Sequence, residues 1–117
     1  MSDSILTSIK KLLGIEENYT IFDQDIITHI NSVFMILSQL GVGPTEGFSI
    51  ENNTETWTDY LGAESPNLNS VRSYVYLKVR LLFDPPTSSA AIESINKLIG
   101  EFEWRLNVQV DPPTPTN

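Results

Sequence analysis

The stretch Val71-Arg72-Ser73-Tyr74-Val75-Tyr76-Leu77-Lys78-Val79-Arg80-Leu81-Leu82-Phe83-Asp84-Pro85-Pro86 decides the fold. A long apolar element runs into a double proline and stops. Val71, Val75, Leu77, Val79, Leu81 and Phe83 alternate with Arg72, Lys78 and Arg80 as in a strand. Helical spacing fits as well: Leu68, Val71, Val75, Val79 and Leu82 make one face, Tyr74, Leu77 and Leu81 widen it, and Asn67 after Pro66 is a ready cap. Length favours the helix, since residues 71–83 run about twice the common strand length of about five or six residues. No second strand-like segment of similar strength is available for pairing. The stretch reads as a buried central helix, ended by Asp84-Pro85-Pro86 because proline lacks a donor and pushes its predecessor out of the helical region.

Downstream, Thr87, Ser88 and Ser89 offer a cap. Ala91, Ile92, Ile95, Leu98, Ile99, Phe102 and Leu106 recur at three and four, which predicts a helix over 89–106 with Gly100 as a tolerated weak point. Val108 to Asn117, carrying Pro112, Pro113 and Pro115, reads as an extended tail. Upstream, Ser2 or Asp3 can cap a short helix bearing Ile5, Ile9, Leu12 and Leu13, with Gly14 as its stop. Asp23 caps a stronger one over 23–40, whose stripe is Ile26, Ile27, Ile30, Val33, Phe34, Leu37 and Leu40, with Phe22 stapled onto Ile27 and Gly41 as the stop. Gly41 to Asn53 reads as a long ordered loop or a short extended piece, and a short helix over 54–61 places Trp57, Tyr60 and Leu61 on one side before Gly62. The expectation is an all-α chain: a small bundle of four to five helices, a long loop after the second, a helical domain over 1–107 and an extended proline-rich tail over 108–117.

Composition narrows the role. Seven basic against fifteen acidic residues give a net charge of -8, which disfavours neutralising several nucleic-acid phosphates. The chain has no cysteine, so disulfides and thiolate metal sites are excluded. Its N-terminus lacks a basic leader, and its apolar runs fall far short of the roughly 18 residues of a membrane span. We therefore expect neither a recognisable secretion signal nor a membrane segment.

Reaction chemistry is sparse. His29, the only histidine, lies one turn from Asp25, but no nucleophile or second ligand accompanies the pair, and it reads as a solvated surface histidine. Glu101 and Glu103 sit two apart on a helix and read as solvated carboxylates rather than a pair. Gly41, Gly43 and Gly47 lack the Lys-Ser or Lys-Thr and the preceding strand of a phosphate loop. Arg72, Lys78 and Arg80 beside Tyr74 and Tyr76 could form a platform for single strands, yet in an acidic chain they read as partners of nearby Asp or Glu. No cofactor is implied. Trp57 reads as core, whereas Trp104, off the stripe of Phe102 and Leu106 and followed by Arg105, is a candidate partner contact.

The order of elements, together with Ile9-Lys10-Lys11-Leu12-Leu13-Gly14, the Asp23 to Leu40 helix, the Tyr74 to Pro86 run and Glu103-Trp104-Arg105-Leu106-Asn107, resembles the head-tail connector, or adaptor, family of tailed phages. The resemblance covers residues 5 to 107, and the segment from Gly41 to Glu64 is longer than a minimal member requires. It implies a structural, non-enzymatic virion protein, made in the bacterial host cytoplasm and located at the virion neck. Copies, commonly twelve, form a ring under the portal, meet tail or stopper proteins, and present an acidic lumen through which DNA passes without specific binding. On that reading Val110, Pro112 and Pro113 contact the portal or a neighbour, Gly43, Phe48 and Ile50 face the lumen or a neighbour, and Arg72, Lys78 and Arg80 build the ring. The competing expectation is a small acidic regulatory or inhibitor protein of a phage or bacterium that binds a host enzyme. Its acids, as at Glu46, Glu51, Glu55, Asp59 and Glu64, are scattered rather than in the dense runs of a DNA mimic.

Overall fold

The Val71 to Phe83 stretch is helical. A computed structural model describes residues 4–62 and 68–110, and within them the chain order is α1 (Ile5–Leu13), α2 (Asp23–Gln39), α3 (Trp57–Leu61), α4 (Leu68–Phe83) and α5 (Ser89–Val110), with no strand among the described residues. α4 is the hub, packing against α1, α2 and α5. Val71, Tyr74, Val75 and Val79 are buried on it, facing Ile26, Ile30, Val33 and Leu37 of α2 and Ile5 and Ile9 of α1 in one core. Spacing also puts Leu82 on this face, but Leu82 is exposed, while its neighbours Leu81 and Phe83 pack against the core. Asn67, the cap expected for α4, lies outside the described residues, as do Ser2 and Asp3.

The helix ends follow local rules. Ser4 caps α1 by accepting from the Thr7 N–H, and Gly14 (φ +82°) closes it in a Schellman arrangement, with Gly14 N donating to Lys11 O and Ile15 N to Lys10 O. α2 ends the same way at Gly41 (φ +87°), where Gly41 N reaches Ser38 O and Val42 N reaches Leu37 O. A capping box of Thr56 and Asp59 starts α3 at Trp57, later than the expected residue 54. The Ser88 hydroxyl accepts from Ala91 N at the start of α5.

Two expectations about helix ends are corrected. Asp23 is not the N-cap of α2: Phe22 holds that position without a side-chain bond, and Asp23 is the first helical residue, its carboxylate taken by Lys10. Phe22, expected as a staple, packs its ring against Tyr19 and Phe83, at centroid distances of 5.7 and 5.3 Å. α5 also outruns its expected end at residue 106 and continues through Val110, since Pro112 restricts only the residue before it. Pro112 and Pro113 lie outside the described residues.

The long loop is ordered without regular structure. The Asn31 side chain donates to Ile50 O at 3.0 Å and accepts from Ile50 N at 2.8 Å, as a neighbouring strand would. The Glu55 carboxylate accepts from Glu51 N, and an isolated antiparallel pairing of Ser4 with Thr56 ties the end of the loop to the start of α1, with Ile5 N donating to Glu55 O. Trp57 is core, as expected, and its indole N–H donates to the buried Ser8 hydroxyl at 2.8 Å.

Lys10 is the most unusual core residue. Only 2 % exposed, its ammonium donates to Glu17 O at 3.0 Å and Tyr19 O at 2.8 Å and lies 2.8 Å from Asp23 Oδ1. Two of its donors meet backbone carbonyls, and the Asp23 carboxylate supplies the counter-charge. Removing the buried partner of such a set costs about 3–5 kcal/mol, because the two carbonyls and the partly buried carboxylate that it served are left without it. We predict that Lys10→Met lowers unfolding stability by about that amount, read from denaturant melts.

Candidate assembly surfaces

On α5, Lys97, Gly100, Glu101, Trp104 and Arg105 recur at three and four and line one shallow depression on the outer side of the helix. Gly100 leaves the flank of the indole bare, for a Cβ there would touch nothing within 4 Å. Trp104 is 68 % exposed, a large apolar area to leave in water, and Arg105 places its guanidinium 5.9 Å from the centre of the Phe102 ring. Glu103, expected to be solvated, instead accepts from the Tyr74 hydroxyl at 2.7 Å and so joins α5 to α4. Burial first, then this bond and the charge of Glu103, push the Tyr74 phenol well above its ordinary value.

The basic residues of α4 divide. Arg72 and Arg80 share a stripe with Tyr76 between them, and Arg80 donates to the Tyr76 hydroxyl at 3.2 Å; Lys78 lies on another side. The expected pairing with carboxylates is absent: among the described residues no Asp or Glu reaches Arg72, Lys78 or Arg80. α4 itself contains no acidic residue, so no partner is available one turn away. The Nε atoms of Arg72 and Arg80 are buried without a hydrogen-bond acceptor among the described residues.

The loop residues point inward more than their composition suggests. Ile50 is buried in the subunit's own core, and Phe48 is half-buried with its ring 5.6 Å from Phe34 and 5.0 Å from Tyr60. Gly43 is exposed but backs onto the Tyr60 ring, and burial raises the phenol of Tyr60 far above its ordinary range. Val110 ends α5.

Sequence reasoning missed a second apolar surface. Leu13, Ile15, Phe22, Phe83 and Asp84 line a hollow of about 390 Å³, and the exposed Tyr19 ring packs against Phe22. His29, rather than facing water alone, sets its ring edge-on to Phe83 at 6.5 Å. The one available signal was Tyr19, Ile21 and Phe22 crowded into a connection between helices, where a solvated link has no use for them. No group of three or more His, Cys, Asp or Glu among the described residues could hold a metal ion, and no described helix is long and apolar enough to cross a membrane.

A sequence model of the phage connector proteins matches residues 5–113, nearly the whole chain. The chain belongs to the phage connector protein family. That family carries a head-tail connector role, in which a neck component of the virion meets portal and tail components and is generally not an enzyme. No curated protein and no solved structure matches the chain. An all-helical subunit with exposed aromatic surface suits a connector, whose work is contact.

Gly43 tests how closely the loop is fitted. A Cβ there would come within 2.5 Å of the Tyr60 ring at φ +88°, whereas Gly47, at φ +89°, faces open space. We expect Gly47→Ala to cost about 1–2 kcal/mol, the left-handed penalty alone. Gly43→Ala adds the overpacking cost of about 1–3 kcal/mol, and paired thermal melts should separate the two variants.

Proposed function

We propose that this connector assembles as a ring on the portal and joins the DNA-filled capsid to the tail, as a structural and not an enzymatic component. The family match over residues 5–113 carries the reading. Three further observations support it. The net charge of -8 suits a channel along which DNA slides, since a negative wall repels the phosphate backbone. Trp104 and Arg105, exposed side by side, are the residue types that anchor protein interfaces. The Arg72–Tyr76–Arg80 stripe has donors without carboxylate partners among the described residues, as a contact completed by a neighbouring subunit would.

In this proposal the chain beyond α5, with Pro112 and Pro113 following Val110, reaches the portal or a neighbour, and Gly43 and Phe48 face the lumen or an adjacent subunit. Ile50 contributes by holding that loop from inside, through its bonds to Asn31. The subunit is made in the host cytoplasm and becomes part of the virion neck.

Mass measurement of purified portal with and without the protein tests the ring. A symmetric portal complex carrying a whole ring of copies is expected; a stoichiometric complex with a host enzyme and no portal binding would replace the reading with that of an inhibitor. Truncation after Val110, which spares α5, is expected to weaken portal binding and leave the fold's melting unchanged; full binding by the truncated chain removes the tail from the contact.

A further inference from the structure

A ring is built head to tail, so each subunit needs two different and complementary surfaces rather than one that pairs with itself. We infer that Trp104 of one copy docks into the hollow of Leu13, Ile15, Phe22 and Phe83 on the next, with Arg105 facing Asp84. The inference rests on the ring reading and names its joint.

The two surfaces match in shape and chemistry. Trp104 projects from a helix face beside a glycine that adds no side chain, so the indole is presented as a knob. The hollow, at about 390 Å³, has the size of clefts that bury small organic groups, about 300–1,000 Å³. Its walls are apolar and aromatic, and Phe22 and Phe83 already meet edge to face at 5.3 Å, a packing that a third aromatic ring can extend.

Charge favours this hollow over a second one among the described residues. Lys97, Glu101 and Arg105 surround the indole, two cations to one anion with Arg105 adjacent to Trp104 in sequence, and Asp84 is the single charged residue lining the hollow. A second hollow of about 280 Å³, between Met35 and Phe48, is lined by no charged residue, so Arg105 would meet no counter-ion there. An arginine set against a carboxylate across an apolar contact fixes orientation as well as attraction.

The surfaces also lie where a ring requires. The link over 84–88 is short, and the Tyr74 hydroxyl meets Glu103, so α4 and α5 run antiparallel. Asp84 therefore sits at the end of this hairpin where α5 begins, and Trp104 lies 15 residues along α5 from Ser89, roughly 22 Å at 1.5 Å per residue. One copy cannot close the contact on itself. The knob and the hollow are thus two separate surfaces spaced along the same pair of helices, as a heterologous joint requires.

Binding to the purified portal ring provides the test, with wild type, Trp104→Ala, Asp84→Arg, Arg105→Asp and the double variant Asp84→Arg/Arg105→Asp compared by mass and by the concentration that half-fills the portal. Trp104, Asp84 and Arg105 are exposed, so all variants should melt as wild type does. Trp104→Ala and each single charge reversal are expected to raise the half-filling concentration about tenfold or more, and the double reversal to recover most of the loss. Wild-type filling by Trp104→Ala, or no recovery in the double reversal, overturns the joint while leaving the ring intact. Loss in Met35→Glu with full filling by Trp104→Ala would move the joint to the second hollow and also overturn it. Failure of the wild type itself to fill the portal removes the ring reading, and the joint with it.

Discussion

The buried ammonium of Lys10 is the constraint on which the arrangement of helices depends. A lysine at 2 % exposure is tolerable only if its lost hydration is replaced, and here two backbone carbonyls and a carboxylate replace it. All three groups lie between Glu17 and Asp23, the connection from α1 and the first residue of α2. One side chain on α1 thus fixes where the chain travels after Gly14 and the position from which α2 departs. The apolar stripe of α2 can then meet α4, and the rings of Tyr19 and Phe22 come to lie beside Phe83. The hollow at this end of the molecule follows from the same constraint. Loosening Lys10 would affect both the core and the surface it shapes.

At the other end of α2 a different device does similar work. The segment between Leu40 and Thr56 has no regular hydrogen-bond ladder, so its backbone groups need partners from side chains. Asn31 and Glu55 supply them, and Val42, Phe48 and Ile50 add apolar contacts that hold the segment down on Phe34, Trp57 and Tyr60. The close approach of Gly43 to Tyr60 explains why a glycine stands there on packing grounds as well as on backbone conformation. Length alone suggested a loop with a task, and its interior half is occupied with the subunit's own fold.

The helices were legible because their apolar residues repeat every three to four positions and because Gly14 and Gly41 sit where a left-handed residue must end a turn. Length against strand norms resolved the Val71 to Phe83 ambiguity correctly. Residues whose partners are distant in sequence were not legible. Asp23 has every attribute of a cap, and only the fold shows a lysine thirteen positions earlier turned toward it. Glu103 reads as a solvated acid until Tyr74, 29 residues away, is placed beneath it. The candidate surfaces divide in the same way: the position of Trp104 off its helix stripe exposed it to inspection, whereas the hollow is assembled from Leu13, Phe22 and Phe83 on three separate segments, each with a local explanation of its own.

The balance between these surfaces and the charge bears on when a ring would form. Association costs about 4–15 kcal/mol in lost freedom, while a well-buried aromatic anchor returns about 2–4 kcal/mol on truncation scales. Copies carrying a net charge of -8 also repel one another. One indole joint is therefore too weak to draw free subunits together at ordinary concentrations, and the exposed apolar surface need not lead to premature assembly. A portal that holds each copy by a second contact changes this, because neighbouring subunits then meet at a high effective concentration and the lateral joint no longer bears the full cost of association. On the proposed reading, weak joints and a repulsive net charge would together confine ring closure to the portal.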